Sequence, residues 1–205
     1  MRSLPAGACH VCNKEECFED DLVVECDACG LVVHQSCYGV RPHPGDAPWL
    51  CDICKDDAQR PARARAELCA LCGKTGGALK VTACGKHFAH LACVIWIPEA
   101  HVVNTTDMKP VEIRHIPWQR QKLRCNICKS KDAPCDAPVQ CYDPTCAKSF
   151  HVGCARESGE KYLIVISDDA SPLACAPANL SRPTRPPRPD PPRAAGGGLR
   201  RTASC

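Results

Sequence analysis

The stretch CDACGLVVHQSCYGV, residues 26–40, decides the fold, because it places a Cys-x2-Cys pair four residues before a His-x2-Cys pair. Two residues between ligands let both side chains reach one metal ion from a tight turn, and mixed thiolate and imidazole sets are what Zn²⁺ prefers. The His-x2-Cys element occurs three times, as His34/Cys37, His90/Cys93 and His151/Cys154. The chain is therefore interpreted as a string of zinc modules.

Composition favours metal over disulfide bonds as the stabilising element. The chain has 20 Cys in 205 residues but only 4% aromatic residues, so the core is small and needs cross-links. The N-terminus lacks an apolar run of signal-peptide length, and no apolar stretch is long enough to cross a membrane. We therefore expect a reducing compartment and no membrane partner, and there clustered Cys interleaved with His indicates zinc.

Charge is distributed unevenly along the chain. Residues 1–58 contain 4 Lys/Arg against 11 Asp/Glu, whereas residues 59–205 contain 22 against 12. The first part is therefore acidic and the remainder is basic, which predicts different partners for the two.

The first ligand set contains eight residues, enough for two zinc ions. Alternate pairs are expected to share a metal, so that the chain interleaves, and the segments LVVEC and LVVHQSC are predicted to form two short strands. The predicted sites are Cys9, Cys12, His34 and Cys37 for one ion, and Cys26, Cys29, Cys51 and Cys54 for the other.

Two further ligand sets follow. Cys69, Cys72, His90 and Cys93 are enough for one zinc ion, with a hairpin predicted between the pairs and a short helix that Pro98 ends. The last set predicts one complete site, formed by Cys125, Cys128, His151 and Cys154, and the beginning of another at Cys141 and Cys146. At least four zinc ions are predicted, and five if the last site is completed.

The ligand order resembles that of a PHD finger. Four cysteines are followed by a histidine and three cysteines, with Trp49 two residues before Cys51. The stretch at 26–40, followed by PWLCDIC at 48–54, is closer still to the first finger of BRPF-type and Jade-type chromatin proteins. With LCALC, WIPE at 96–99, HIP at 115–117 and FHVGCA at 150–155, residues 9 to about 166 resemble the PHD finger, zinc knuckle and extended PHD finger cassette of those proteins.

This resemblance implies a series of small zinc-stabilised α+β modules. We expect a cross-brace PHD finger over residues 6–57, a zinc knuckle over 66–97 and a second, extended PHD finger over 98–169. The chain departs from the family pattern at its end, since no His follows His151 to complete the Cys-x2-His pair of the extended finger. The site begun by Cys141 and Cys146 would then need Cys175 as its third ligand and Cys135 or Cys205 as its fourth. Residues 176–205, rich in Pro, Arg and Gly, are predicted to be a disordered tail.

The resemblance also implies a non-enzymatic chromatin-binding module in the nucleus that reads the N-terminal tail of histone H3 in transcriptional regulation. The tail would add as a strand, with carboxylates nearby for its cationic groups. The predicted histone-tail residues are Asp20, Asp21, Leu22, Val23, Val24, Glu25, Gly45 and Trp49. Only Phe18 lies near the strand as an aromatic cage residue, so an unmodified lysine is the predicted ligand. Taken alone, the acidic run is also typical of a solvated face; it consists of Glu15, Glu16, Glu19, Asp20 and Asp21. Trp49 is also typical of a residue that packs between zinc sites.

Cations cluster around the start of the second finger. They are Arg114, Arg120, Lys122, Arg124, Lys129 and Lys131. The cluster is compatible with an ordinary exposed face and with DNA contact, since DNA is the natural neighbour of a histone-tail reader. Subunits of acetyltransferase complexes are further partners that the resemblance implies. The rival interpretations are a RING-like ubiquitin ligase module and a protein-interaction scaffold without histone affinity.

Overall fold

The computed structural model describes residues 7–17, 19–41, 47–56, 66–141 and 145–158, together with two strands at 163–165 and 174–176. All helices and strands in these residues are short. The strands are β1 (Val23–Glu25), β2 (Val32–His34), β3 (Leu79–Val81), β4 (Phe88–His90), β5 (His101–Val102), β6 (Val111–Glu112), β7 (Val139–Gln140), β8 (Ser149–Phe150), β9 (Leu163–Val165) and β10 (Ala174–Ala176). The helices are α1 (Gln35–Tyr38), α2 (Asp52–Asp56), α3 (Leu91–Trp96), α4 (Trp118–Gln121) and α5 (Val152–Glu157).

One local unit is repeated three times. A two-stranded antiparallel hairpin ends at or next to a histidine, and a short helix carrying a cysteine follows at once. His34 ends β2, His90 ends β4, and His151 follows β8. Each histidine is the N-terminal flanking residue of its helix and has an extended backbone, so imidazole and thiol are held on one turn. The predicted hairpins at β1–β2 and β3–β4 are confirmed, as is the helix that ends before Pro98.

The three modules pack against one another. Gly39 ends α1 with a φ of 74°, and a Cβ atom there would lie 2.4 Å from the backbone of Asp107, so only glycine fits this approach. Arg156 on α5 donates from Nη1 to the carbonyl oxygen of Val11 over 3.1 Å. These contacts join the first finger to the segments that follow it.

The predicted boundary at residues 97 and 98 is crossed by backbone contacts. Thr82 beside β3 forms a bridge with Val111 of β6, and the Ala83 N–H donates to the Val111 carbonyl oxygen over 2.8 Å. The hairpin β5–β6 therefore extends the knuckle hairpin, and the knuckle boundary stays a prediction.

The predicted disordered tail lies, apart from Ala176 at the end of β10, outside the described residues. In the described part of the chain, none of the helices has the length and apolar character needed to cross a membrane.

Candidate metal centres and open strand edge

Four clusters of cysteine and histidine form in the structure. In each cluster the four potential ligand atoms all lie within 4.8 Å of one another. The clusters are Cys9/Cys12/His34/Cys37, Cys26/Cys29/Cys51/Cys54, Cys69/Cys72/His90/Cys93 and Cys125/Cys128/His151/Cys154. The structure thus brings together the four complete sets predicted from the spacing, including the interleaved pairs of the first finger.

The distances between ligand atoms fit zinc. A tetrahedral ion with Zn–S bonds of about 2.3 Å holds its sulfur ligands roughly 3.8 Å apart, and an imidazole nitrogen slightly closer. The sulfur atoms of Cys29 and Cys51 are 3.8 Å apart, and His34 Nδ1 lies 3.3 Å from Cys12 Sγ. In the cluster of the second finger, His151 Nδ1 lies 3.4 Å from Cys128 Sγ. The donor atoms are therefore spaced for a four-coordinate ion.

Each histidine turns Nδ1 towards the cluster and uses Nε2 for a hydrogen bond. His34 Nε2 lies 2.7 Å from the carbonyl oxygen of Glu16, and His90 Nε2 lies 2.6 Å from that of Gly76. His151 Nε2 instead meets a carboxylate oxygen of Asp136 at 2.6 Å. Such partners fix the ring orientation and leave Nδ1 as the metal-binding nitrogen.

Hydrogen bonds from backbone N–H groups and from a neighbouring thiol favour the thiolate form of Cys9 and Cys125. Cys9 Sγ accepts from the N–H groups of Val11 and His34, each over 3.4 Å. A hydrogen bond from the Cys37 thiol, aided by these backbone donors, lowers the pKa of Cys9 to about 4. A hydrogen bond from the Cys154 thiol likewise lowers the pKa of Cys125 to about 2. Deprotonated sulfur is the form that binds zinc, whereas the same hydrogen bonds raise the pKa of Cys37 and Cys154, whose protons must leave when zinc binds.

Cys141 and Cys146 are not brought into any group of three or more potential ligands among the described residues. Cys141 is buried and Cys146 is half-buried. Cys205 and the side chain of Cys175 lie outside the described residues. The fifth zinc site therefore stays a prediction.

The outer edge of β1 is open in the described part of the chain. β1 has β2 as its neighbour, with Val24 opposite Val33. The Gln35 N–H donates to the Leu22 carbonyl oxygen, and the Cys26 N–H donates to the Leu31 carbonyl oxygen. The backbone groups of Leu22, Val24 and Cys26 therefore face β2. Because antiparallel pairing alternates, the backbone groups of Val23 and Glu25 point to the open edge.

The predicted histone-tail residues have different surroundings. Asp20 and Glu25 are exposed, and Leu22 is partly exposed. Asp21 accepts hydrogen bonds from the Ser36 backbone N–H over 2.8 Å and from its hydroxyl over 2.6 Å, which holds α1. Asp21 thus has a structural role that the sequence did not reveal.

Trp49 belongs to the core of the first finger. Its side chain is buried and meets the Tyr38 ring edge-on, with the ring centroids 5.7 Å apart. Its backbone N–H donates to Asp27 Oδ2 over 2.7 Å. The structure therefore favours the packing interpretation of Trp49, and a contact of its side chain with the histone tail stays a prediction. Gly45 and Phe18 lie outside the described residues.

The predicted nucleic-acid residues are not equally available. The Arg120 side chain is only 16% exposed and its guanidinium pairs with Glu99 at 2.7 Å, so its DNA contact stays a prediction. Arg114 is exposed but its guanidinium is paired with Glu112 at 2.6 Å. Lys131 donates to the carbonyl oxygen of Gln121 over 2.6 Å. Lys122, Arg124 and Lys129 are exposed, and no described carboxylate forms an ion pair with them.

A buried lysine joins the first finger to the knuckle, and sequence reasoning missed it. Lys80 in the middle of β3 is 1% exposed, and its Nζ lies 2.9 Å from Asp52 Oδ2. The same ammonium lies 3.7 Å from the centroid of the Tyr38 ring and donates to the Asp107 carbonyl oxygen over 3.1 Å. A lysine between two apolar residues of a short strand is typical of a solvent-facing position, so the sequence gave no signal for this contact.

Comparison with known families covers both halves of the chain. A family model described as a PHD-zinc-finger like domain matches residues 67–171, about half of the chain. A second model, described as a PHD-finger, matches residues 20–55.

Similar proteins contain this chain's fold within larger molecules. Bromodomain and PHD finger-containing protein 3 of Mus musculus is 43% identical over 152 residues, which cover 74% of this chain and 12% of that protein. E3 ubiquitin-protein ligase Jade-2 of Homo sapiens is 37% identical over 162 residues, which cover 78% of this chain and 19% of that protein. The crystal structure of zebrafish PHF14-PZP superimposes with a TM-score of 0.64 at 26% identity, covering 82% of this chain and 85% of the other.

The chain thus spans less than a fifth of the length of these two curated relatives. The family match, the ligand order and the four clusters agree with one another. This chain belongs to the PHD-zinc-finger-like family.

Proposed function

We propose that this chain is a chromatin-binding module that reads the N-terminal tail of histone H3, with its lysine unmodified, and acts in transcriptional regulation in the nucleus. We expect a non-enzymatic module whose zinc ions are structural, because each cluster has four protein ligands and leaves no position for a reactive water. Scaffolds of acetyltransferase complexes are the partners expected for such a module.

The open edge of β1 carries this proposal. An extended peptide can add to Val23 and Glu25 through backbone hydrogen bonds, which are independent of the peptide's side chains. Selectivity for a cationic tail comes from the carboxylates at either end of the strand, Asp20 before it and Glu25 within it. Bromodomain and PHD finger-containing protein 3, a relative that shares this region, supports the assignment to chromatin.

The first functional prediction concerns the peptide's amine. An unmodified H3 N-terminal peptide should bind to the zinc-loaded chain, and acetylation of its N-terminus should weaken binding strongly because the acetylated amide has lost the ammonium charge. Asp20→Asn should weaken binding by about 1–3 kcal/mol if its carboxylate makes a charge-assisted hydrogen bond. Isothermal titration calorimetry with free and blocked peptides measures both effects.

Glu15→Gln is the matched control, since it removes one exposed carboxylate of the same acidic run away from β1. Equal affinity for the free and the blocked peptide would reject this binding mode. Asp21→Asn is not a clean test of peptide contact, because Asp21 also holds Ser36 at the start of α1.

A second candidate function is weak, sequence-independent DNA binding by the basic half. Exposed Lys122, Arg124 and Lys129 support it, and the acidic first finger would repel DNA. Duplex affinity should fall steeply with salt and should survive removal of residues 176–205, because the cations of the folded face are held together. Fluorescence anisotropy at 50 and 200 mM salt measures duplex affinity with and without residues 176–205. A large loss of affinity on removing these residues would mean that the tail, and not the folded face, supplies the cations that bind DNA.

Because one relative is named E3 ubiquitin-protein ligase Jade-2, ubiquitin-ligase activity is the rival to the proposed reader function. An in vitro ubiquitin-transfer assay with the zinc-loaded chain distinguishes the two, and we expect no transfer.

A further inference from the structure

One tryptophan of the chain is placed unlike the other two. Trp49 is 8% exposed and Trp96 is 9% exposed, as expected of large apolar side chains, whereas Trp118 is 57% exposed. Trp118 begins α4, a helix of four residues with no buried side chain. The indole therefore contributes little to the core, and its exposure needs another explanation.

One cation lies over this indole, and further cations follow it along the chain. Lys122, one helical turn further, places its Nζ 3.8 Å from the centroid of the Trp118 ring. Lys129 follows Arg124 across a turn that a hydrogen bond from the Lys129 N–H to the Cys125 carbonyl oxygen closes over 2.9 Å. Lys131 then donates to the Gln121 carbonyl oxygen at the end of α4. We call the resulting surface the α4 patch, and it consists of Trp118, Lys122, Arg124, Lys129 and Lys131.

Arg120 anchors the helix that carries the patch. Arg120, on the inner side of α4, pairs with Glu99 and donates from Nη1 to the Pro138 carbonyl oxygen over 3.2 Å. An anchored short helix presents the indole and its flanking cations in a fixed arrangement, which lowers the entropy lost when a ligand binds.

An aromatic ring among cations matches the chemistry of unpaired nucleotides. Cations attract phosphates, and an exposed ring stacks on a base whatever its identity. In a duplex the base faces are already stacked on one another, so a duplex can use the cations but not the indole. DNA is the nucleic acid proposed for the basic half, so the ligand inferred for the patch is an unpaired DNA strand. We propose that the α4 patch binds single-stranded DNA by stacking a base on Trp118, a preference that rests on the proposed nucleic-acid contact of the basic half.

The test compares three nucleic acids of one base sequence. A labelled 20-nucleotide strand, its blunt duplex and the matching RNA strand are titrated into the full zinc-loaded chain by fluorescence anisotropy, while tryptophan emission is recorded with unlabelled strands. Because the other two tryptophans are buried, quenching reports on Trp118. We expect quenching by the single strand and none by the duplex.

Substitution separates stacking from charge. Trp118→Ala should lower single-strand affinity roughly 5- to 100-fold, the loss typical of one stacked base, and leave duplex affinity within about twofold. Trp118→Phe should restore most of the loss. Lys122→Ala with Arg124→Ala should weaken both forms. Val103→Ala is the matched control, since Val103 is an apolar residue of similar exposure on the β5–β6 connection, and it should change neither.

Three outcomes overturn the proposal. Unchanged single-strand affinity in Trp118→Ala excludes stacking, although duplex binding would then still support the wider nucleic-acid contact. A preference of tenfold or more for the RNA strand excludes DNA as the ligand. Binding of neither strand nor duplex at low salt rejects the nucleic-acid contact altogether and leaves an apolar protein partner to cover Trp118. Zinc content by mass spectrometry confirms that each variant is folded.

Discussion

Replacing Cys37 with serine is expected to unfold the first finger and to release both of its zinc ions. Cys37 belongs to the Cys9/Cys12/His34 cluster, and the interleaved chain joins that cluster to the second one through β1 and β2. Structural zinc supplies on the order of 10 kcal/mol of apparent folding free energy to such modules, far more than this small core can replace. Native mass spectrometry should count at least four zinc ions in the wild-type chain and two fewer in the variant.

Cys84→Ser is the matched control, because Cys84 is exposed and lies outside the four clusters of the described residues. It should retain every zinc ion. A wild-type chain with two or fewer zinc ions, or a Cys37→Ser variant that keeps the full number, would contradict the assignment of structural zinc.

Asp52→Ala is expected to cost about 3–5 kcal/mol of stability, because it leaves the ammonium of Lys80 buried without a counter-ion. Burial raises the pKa of Asp52, but the ammonium groups of Lys80 and Lys109 lower it more, so the pKa lies below the usual range and the carboxylate is charged at neutral pH. Lys109 lies 3.1 Å from the same carboxylate oxygen but is 44% exposed. It can move to solvent when Asp52 is removed, whereas Lys80 cannot.

Urea unfolding in excess zinc measures the cost, with Lys109→Ala as the exposed-pair control that should cost less than about 1 kcal/mol. Combining Asp52→Leu with Lys80→Met should restore much of the stability, since an apolar pair of similar volume needs no charge compensation. If Asp52→Ala stays within about 0.5 kcal/mol of the wild type, the Lys80 contact does not hold the first finger to the knuckle.

The zinc clusters and the hairpins were predictable because local spacing determines them. Two residues between ligands and a histidine at the end of a strand specify where a metal and a turn must lie, whatever surrounds them. The pairing of Cys26/Cys29 with Cys51/Cys54 needed a second argument, that alternate pairs of the first ligand set share a metal, and the structure confirms it.

The packing between modules was not predictable in the same way. Lys80 and Gly39 make their contacts with residues about 28 and 68 positions away, Asp52 and Asp107, and no short-range pattern encodes such approaches. The hydrogen-bond and ion-pair partners of individual side chains could not be predicted from the sequence either. The sequence does not distinguish Asp21, which holds Ser36, from Asp20, or half-buried Arg120 from exposed Arg124.

The central functional claim is that a histone H3 tail adds to the open edge of β1. The most direct measurement is a two-dimensional ¹⁵N–¹H NMR titration of the zinc-loaded chain with an unmodified H3 N-terminal peptide. The amide signals of Val23 and Glu25 should shift most, because their backbone groups point to the open edge. Those of the second finger, such as Val152 and Cys154, should stay in place. Saturation of the peptide without any shift in β1, or with shifts confined to the second finger, would contradict this account.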